Sequence, residues 1–354
     1  MGGSRPRGAT ARDVTPLTLG PCQETAGCPV QKVNPNRTAR EPTMRVLVAG
    51  ATGAMGKELV PRLVEAGHEV FAMIRGESSR ARAEQLGAVP VIADALDRAQ
   101  VEAAVREAAP EVIVHQLTAI GHVDTRHFER SFAATDRLRI EGTDNLLAAA
   151  RAIGVRRFVA QSNGAFTYAR TGGPVKNEQD PLDRSPVGQM ASMIAAVEHL
   201  EQAVLGAAWT EGIVLRYGAF YGPGTSMAPG SKQLEMIRER KFPIVGDGGG
   251  VWSFVHISDA AEATVAAVAN GRRGVYNIVD DDPAPVAEWL PELAALLGAK
   301  KPMRVPRFVG RLAAGEAGVV LMTELRGASN AKAKRELGWH PAHPTWRQGF
   351  RVAP

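Results

Sequence analysis

From Met44 onward, short apolar runs alternate with segments whose apolar residues recur at helical spacing. The run Arg45–Ala49 predicts a strand, and Ala54–Glu65 predicts a helix that Gly67 ends. Further strands are predicted at Glu69–Ile74, Val89–Ala93, Glu111–His115, Arg157–Gln161 and Gly212–Arg216, and further helices at about Arg80–Leu86, Arg98–Ala108, Ser131–Ile153 and Ala191–Ala207. This alternation indicates an α/β fold class with a doubly wound parallel sheet that is covered on both faces.

Residues 1–43 lack this alternation. They mix Gly, Pro, Thr, Arg and Asn, and they contain neither a periodic apolar pattern nor an aromatic residue. Such a segment buries too little surface to offset the entropy lost on ordering. We therefore predict a disordered extension over residues 1–43, with the folded body beginning at Met44.

Composition narrows the classes of protein. The 354 residues are 45% hydrophobic and 22% charged, which is typical of a globular protein. No run reaches the roughly 18 apolar residues that a membrane span needs, and the extension lacks the apolar stretch of a signal peptide, so we expect a cytoplasmic protein. Both cysteines, Cys22 and Cys28, lie in the extension, which excludes a cysteine nucleophile or a cysteine-ligated zinc site in the body. We expect no metal.

The charge distribution argues against nucleic acid as a partner. The formal net charge is +5, but residues 1–43 carry six basic and three acidic residues and so account for +3 of it. The remaining body is close to neutral. A nucleic-acid-binding body would carry a pronounced basic surface.

The segment Val48–Gly56 places three glycines between the first strand and the first helix. Gly50 would permit the tight turn, Gly53 would let the backbone approach a pyrophosphate, and Gly56 would allow the helix to pack closely. The N-terminus of the helix then offers free N–H groups and a partial positive charge to the phosphates. This context predicts a dinucleotide-binding loop.

The Gly-x-x-Gly-x-x-Gly spacing resembles that of the extended, epimerase/dehydratase-like branch of the short-chain dehydrogenase/reductase superfamily. The resemblance covers nearly all of residues 44–350, and its further matching segments are Val114–Ala119, Arg139–Ala148, Gly154–Ser162, Leu215–Gly224, Phe254–Asp259, Tyr276–Ile278 and Glu336–Trp339. It implies an NADP-binding Rossmann domain over 44–222 and a smaller C-terminal substrate-binding part over 223–354, with about 251–270 returning to the first domain. It also leaves a homodimer open.

Arg75 follows the second strand, where an NAD-binding unit has an Asp or Glu that accepts a hydrogen bond from the ribose 2′-hydroxyl. A guanidinium pairs instead with a 2′-phosphate, so Arg75 favours NADP over NAD as the cofactor. The resemblance implies cofactor contacts at Gly50, Thr52, Gly53, Ala54, Met55, Gly56, Arg75, Asp94, Ala95, Leu117, Thr118, Ala119, Gln161, Ser162, Tyr217, Ala219 and Phe220.

The resemblance fails at the catalytic motif. The family uses Tyr-x-x-x-Lys on the helix after the fifth strand, with the Tyr as acid/base and the Lys holding the ribose. Aligning Glu198 with the family's glutamate puts Met190 at the Tyr position and Ile194 at the Lys position. Neither side chain carries an exchangeable proton. Ser162 remains as the partner of the substrate oxygen.

Two readings of the function follow. In the first, the chain is an NADP(H)-dependent oxidoreductase acting on a small polar, nucleotide-sugar or natural-product-like carbonyl or alcohol, with Tyr168 or Tyr217 replacing the missing acid/base. Expected substrate contacts are His122, Asn163, Met190 and Tyr221. In the second, it binds NADP(H) as a redox sensor without turnover. A redox-neutral epimerase or dehydratase is a further alternative.

Overall fold

The structure is a computed structural model that describes residue 2, residues 43–121 and residues 123–352. The predicted extension lies outside the described residues, apart from Gly2 and Thr43. The strands are β1 (Arg45–Ala49), β2 (Glu69–Ile74), β3 (Val89–Ile92), β4 (Val112–His115), β5 (Arg157–Asn163), β6 (Val175–Lys176), β7 (Glu211–Tyr217), β8 (Ala219–Tyr221), β9 (Ile244–Val245), β10 (Val251–Trp252), β11 (Phe254–His256), β12 (Gly274–Ile278), β13 (Ala284–Pro285), β14 (Arg304–Val305) and β15 (Gly327–Ala328).

The helices are α1 (Ala54–Glu65), α2 (Arg80–Gln85), α3 (Arg98–Ala108), α4 (Phe128–Arg137), α5 (Thr143–Ile153), α6 (Gly188–Gly206), α7 (Lys232–Arg238), α8 (Ile257–Asn270), α9 (Val286–Leu296), α10 (Arg307–Thr323), α11 (Ala331–Leu337) and α12 (Trp346–Val352). A π-helical turn at Leu138–Gly142 joins α4 and α5 into one continuous helix. No described helix is long and apolar enough to cross a bilayer.

Seven parallel strands form the central sheet in the order β12-β7-β5-β4-β1-β2-β3. Alternate residues of β1 serve different cores: Val46 and Val48 pack with α1 and α8, whereas Leu47 and Ala49 pack with α3 and α5. Because side chains alternate along a strand, a strand that is buried on both faces must be apolar throughout. The predicted doubly wound α/β fold is confirmed.

Several element bounds differ from the prediction by one to three residues, including α6, which begins at Gly188 instead of Ala191. Two differences matter most for the site. The helix expected over Ser131–Ile153 begins at Phe128 and contains the π turn, an irregularity that the apolar spacing does not reveal. The segment that returns to the sheet runs beyond residue 270, because Gly274–Ile278 adds β12 beside β7. The predicted division at residues 222 and 223 remains a prediction.

A separate apolar cluster lies beside the sheet, built mostly from the last third of the chain and completed by residues of α4 and α6. Trp289 and Trp346 are fully buried in it, and Phe254 packs against both rings. Two-stranded pairs connect this part to itself and to the loops that leave the central sheet. These pairs leave the carboxyl edge of the sheet facing a cavity.

Asp259 attaches the C-terminal segment to α8. Its carboxylate accepts hydrogen bonds from the backbone N–H groups of Ala342, at 3.1 Å, and His343, at 2.9 Å. The ring of His343 contacts the same carboxylate and stacks on His256, with ring centroids 4.0 Å apart. Asp259 is only 2% exposed, so truncating it would remove a buried carboxylate and leave the half-buried N–H groups of the C-terminal segment without this acceptor.

We expect Asp259→Ala to lower the free energy of unfolding by roughly 2–4 kcal/mol, because several part-buried hydrogen bonds to one buried carboxylate are lost together. Chemical denaturation measures the change. The matched control is Glu262→Ala, an exposed carboxylate on the same helix that pairs with Arg62. It should shift the unfolding free energy by less than about 0.5 kcal/mol. Equal effects of the two substitutions would contradict the role given to Asp259.

Candidate active site

The glycine-rich loop between β1 and α1 packs so closely against neighbouring backbone that two of its positions have no room for a Cβ. Gly50 has a φ of +92°, and a Cβ there would lie 2.6 Å from the Gln116 carbonyl oxygen. A Cβ on Gly56 would lie 2.2 Å from the Ala51 carbonyl oxygen. Helix α1 begins without a side-chain cap and without an acidic residue in its first turn. Its N-terminal N–H groups therefore suit a pyrophosphate.

A cavity of about 1730 Å³ lies along the carboxyl edge of the sheet. This volume exceeds the roughly 300–1,000 Å³ of a typical pocket for one ligand, so it has room for a dinucleotide and a second molecule. The expected cofactor contacts that line it are Gly50, Thr52, Gly53, Ala54, Met55, Arg75, Asp94, Ala95, Leu117, Thr118, Ala119, Gln161, Ser162, Tyr217, Ala219 and Phe220. Gly56 does not line the cavity and acts in packing instead.

Arg75 is exposed at the end of β2 and lines the cavity together with Ser78 and Ser79. The nearby guanidinium of Arg80 is engaged differently, since it forms an ion pair with Glu77. Asp94 follows β3, and its Oδ1 accepts a hydrogen bond from the backbone N–H of Leu96 at 3.0 Å. These two side chains, Arg75 and Asp94, give one end of the cavity its polar character.

Ser162, at the end of β5, donates its hydroxyl hydrogen in a hydrogen bond within the protein. The hydroxyl donates to Glu201 Oε1 at 2.6 Å, and both side chains are buried. Arg216 donates to both oxygens of Glu201, at 2.8 and 2.6 Å. Because this carboxylate can only accept, Ser162 faces the cavity with its lone pairs.

The structure does not support Tyr168 as the acid. Its side chain is 3% exposed and is not among the residues that line the cavity. The hydroxyl donates to Asn277 Oδ1 at 2.6 Å and accepts from Arg216 Nη1 at 3.0 Å. Burial raises the pKa of Tyr168. Ala165 and Phe166 of the loop after β5 line the cavity, but the Tyr168 side chain points away from it toward β12, which corrects the prediction.

Tyr217 does line the cavity, but its hydroxyl points into the protein. It contacts Thr264 Oγ1 at 2.6 Å and accepts from Gln116 Nε2 at 3.2 Å. Burial raises the pKa of Tyr217 to about 12. A phenol with this pKa and with both neighbours in place is a poor proton donor near neutral pH.

The predicted substrate contacts are only partly brought together. Asn163 lines the cavity, whereas Tyr221 and Met190 do not. Tyr221 is fully buried and stacks on Phe350, with ring centroids 4.5 Å apart, so it serves the packing of the C-terminal segment. Met190 lies in the apolar cluster beneath α4. His122 lies outside the described residues.

Helix α6 presents an apolar face where the family has its acid/base pair. The buried residues of that face are Met190, Met193, Ile194 and Val197. Glu198, which served as the alignment anchor, is only half-buried and bonds to Gln202, whereas Glu201 is the buried glutamate. A register three residues later would therefore place Met193 and Val197 at the two positions. Both registers leave the helix without a proton donor there.

The part of the cavity away from the glycine-rich loop, which we call the aromatic half, is lined by aromatic and aliphatic side chains. Sequence reasoning did not predict this lining. Phe128 and Phe132 of α4 cover α6 and line the cavity themselves. The apolar side chains that complete this half are Phe166, Met227, Met236, Phe242, Val305, Val309, Trp252, Leu321 and Met322. Spacing such as Phe128 to Phe132 is typical of an ordinary core helix, so the sequence held no signal that these rings face a ligand.

A model of the NAD-dependent epimerase/dehydratase family matches residues 46–279. The chain belongs to this family. It is 45% identical to a Streptomyces protein named 3-diazoavenalumate denitrifying reductase, over 87% of this chain and 99% of that protein. It is therefore an enzyme of the oxidoreductase/epimerase type, and the expected recognition of the extended short-chain branch is confirmed.

Two further members are more distant. A Stigmatella aurantiaca protein named 4-hydroxy-2-methyl-3-oxo-4-farnesyl-3,4-dihydroquinoline-1-oxide ketoreductase is 27% identical, over 82% of this chain and 85% of that protein. The solved UDP-glucose 4-epimerase of Thermus thermophilus, in complex with NAD, is 26% identical with a TM-score of 0.67, and the match covers 88% of this chain and 97% of that chain. The relatives therefore include reductases and epimerases.

We expect Glu201→Gln to lower the free energy of unfolding by about 3–5 kcal/mol, because it leaves the buried guanidinium of Arg216 without its counter-charge. Glu198→Gln, one turn earlier on the same helix, is the control and should change stability by less than about 0.5 kcal/mol. Urea denaturation compares the two. A stable Glu201→Gln protein would show that the pair does not hold α6 to the sheet.

Proposed function

We propose that this chain is an NADPH-dependent reductase that removes the diazo group of an aromatic compound as dinitrogen. The observation that carries the proposal concerns the part of the cavity that Ser162 and Tyr217 border, which we call the reaction end. Among the described residues, this part contains no ready proton donor. The hydroxyl of Ser162 donates to Glu201, and the pKa of Tyr217 is about 12. The face of α6 beneath this end is apolar.

Diazo reduction does not need such a donor. Reducing a carbonyl produces an oxyanion that must be protonated, and general acid catalysis typically contributes about 10²–10⁴-fold to such a step. An aryl diazonium ion is already a cation. The bound dinucleotide would supply one hydride, so that one diazonium ion and one NADPH yield one arene, one dinitrogen and one NADP⁺.

The other half of the cavity supports an aromatic substrate. Its walls include Phe128, Phe132 and Trp252, which offer flat apolar surfaces. The name of the Streptomyces relative, which describes the reductive removal of nitrogen from a diazo compound, agrees with this assignment.

We assign the dinucleotide to the half of the cavity that begins at the glycine-rich loop. The pyrophosphate would lie at the N-terminus of α1, and Asp94 would lie beside the adenine. Arg75 would pair with the 2′-phosphate of NADPH, because it is exposed at the end of β2 with Ser78 and Ser79 next to it. This proposal retains the preference for NADP that the sequence indicates.

Reduction of a carbonyl, with a bound water as the acid, is the second candidate. It is favoured by the ketoreductase name of the Stigmatella relative. Both candidates use the same hydride source and the same aromatic half of the cavity. They differ in whether a proton must be delivered beside Ser162, so an assay with matched diazo and keto substrates separates them.

We expect Arg75→Asp to weaken NADPH binding by about 10–100-fold and to change NADH affinity by less than about threefold, since a charge-assisted contact to the phosphate is lost. Isothermal titration calorimetry measures both cofactors. Arg82→Asp is the control, because Arg82 is exposed on the following helix and does not line the cavity. Equal affinities of the native enzyme for NADPH and NADH, unchanged in Arg75→Asp, would refute the preference.

With NADPH and 3-diazo-4-hydroxybenzoate as a probe, we expect the enzyme to release dinitrogen and the arene in a one-to-one ratio with NADPH consumed. Mass spectrometry of ¹⁵N-labelled dinitrogen and chromatography of the arene follow the reaction. NADPH deuterated on one face separates enzymatic transfer, which uses a single face, from any reaction in free solution.

Tyr168→Phe serves as the control variant in this assay. It should lower turnover of the diazo probe by less than about tenfold, because a general acid would account for roughly 10²–10⁴-fold. The diazo proposal fails if the probe disappears no faster with enzyme than without it. Reduction of an aromatic ketone under the same conditions would then favour the second candidate.

A further inference from the structure

Arg139 is a buried cation at the wall of the cavity, and its role is not explained by the contacts it makes within the protein. It lies in the π turn between α4 and α5, is 2% exposed and lines the cavity together with Gln161 and Ser162. Single π turns inside α-helices occur frequently at functional sites.

Few protein groups satisfy this guanidinium. Its nearest acidic partner is Asp136, with Nη1 and Oδ1 3.6 Å apart, which is beyond hydrogen-bond distance. Nη1 and both carboxylate oxygens of Asp136 have no hydrogen-bond partner among the described residues, and no hydrogen bond joins the guanidinium to any other described group. Burial lowers the pKa of Arg139 to about 10, which still leaves it charged at neutral pH. A buried donor without an acceptor is costly, so its place at a cavity wall indicates that a ligand supplies the acceptor.

The surroundings of Arg139 locate it along the edge of the sheet. The charge of Arg139 contributes to lowering the pKa of His115, the last residue of β4, and the carboxylate of Glu201 acts to raise the pKa of Arg139. Glu201 accepts the hydrogen bond from Ser162 at the end of β5. Arg139 therefore lies by the β4–β5 edge. Arg75 lies at the end of β2, on the far side of β1 in the strand order.

A dinucleotide bound across this edge would place its adenosine end near Arg75 and its nicotinamide end near Arg139. Its phosphates belong at the loop after β1, and its 2′-phosphate belongs at Arg75, as proposed above. The half that carries the nicotinamide would then extend toward β4 and β5. In the nicotinamide half of the dinucleotide, the two hydroxyl oxygens of the ribose can accept hydrogen bonds from a donor at the cavity wall.

The local charges favour a neutral ligand over a second anion. Two buried guanidinium groups, Arg139 and Arg216, face two carboxylates, Asp136 and Glu201. Counting these four groups as ionised, the cluster carries no excess positive charge for a substrate carboxylate to neutralise. Hydroxyl oxygens would satisfy the free N–H groups without adding charge.

We propose that Arg139 is a positioning residue that donates hydrogen bonds to the hydroxyl oxygens of the nicotinamide ribose. The inference rests on the cofactor assignment of the proposed function and not on the diazo substrate. By fixing the ribose, Arg139 sets where the nicotinamide ring stands relative to the aromatic half of the cavity. Helix α6, which contains neither Lys nor Tyr, offers no such donor.

Calorimetric titration with two ligands tests this role in the full-length protein. NADPH contains the nicotinamide ribose, whereas adenosine 2′,5′-bisphosphate contains only the adenosine end. We expect Arg139→Met to weaken NADPH binding by about 10–100-fold, as the loss of hydrogen bonds from a charged donor predicts, and to change binding of the bisphosphate by less than about twofold. Arg139→Lys should recover part of the NADPH affinity.

Arg130→Met is the matched control, because Arg130 is exposed on α4 and does not line the cavity. It should leave both affinities unchanged. If Arg139→Met does not fold, Arg139→Lys and Arg139→Gln provide the same comparison. Unchanged NADPH affinity in the Arg139 variants, or an equal loss for both ligands, would overturn the proposal. A native enzyme that binds NADPH tightly but does not reduce the diazo probe would refute the substrate assignment alone.

Discussion

The buried ion pair between Glu201 and Arg216 holds in place the side chains at the end of β5, where the sheet borders the cavity. It attaches α6 to β7 through two hydrogen bonds between side chains of residues that are each 5% exposed. The same carboxylate accepts a hydrogen bond from the hydroxyl of Ser162, and the same guanidinium donates one to the hydroxyl oxygen of Tyr168. Burying two charges is expensive, and only a fully hydrogen-bonded arrangement offsets that cost. The orientation of three other side chains around the pair, Ser162, Tyr168 and Asn277, depends on it.

The parts of the fold that the sequence predicted well are those whose pattern is local. The bounds of β1, α1, β2 and α3 agree with the prediction, because each segment has a clear apolar period and a glycine, a polar residue or a proline within two residues of its end. The glycine-rich loop was also predictable, since its geometry depends on a strand and a helix that are adjacent in the chain.

The errors arose where distant residues decide the structure. Tyr168 follows β5 as expected, but its two partners, Arg216 and Asn277, are 48 and 109 residues away along the chain. Glu198 and Glu201 both fit the helix pattern, and only burial shows which of them meets the sheet. Arg139 is brought to the cavity wall by a π turn, for which the sequence offers no periodic signal.

The two halves of the cavity are built mainly from different segments of the chain. The half assigned to the dinucleotide is built mainly from residues 50–163, whereas much of the aromatic half comes from residues 225–322, including α7 and α10. Substitutions in α7 or α10 therefore reshape one wall without disturbing the glycine-rich loop or the strand ends. Such a division lets substitutions change the lining of the aromatic half while the glycine-rich loop and the strand ends are inherited unchanged. It fits a family in which named reductases and epimerases share one architecture.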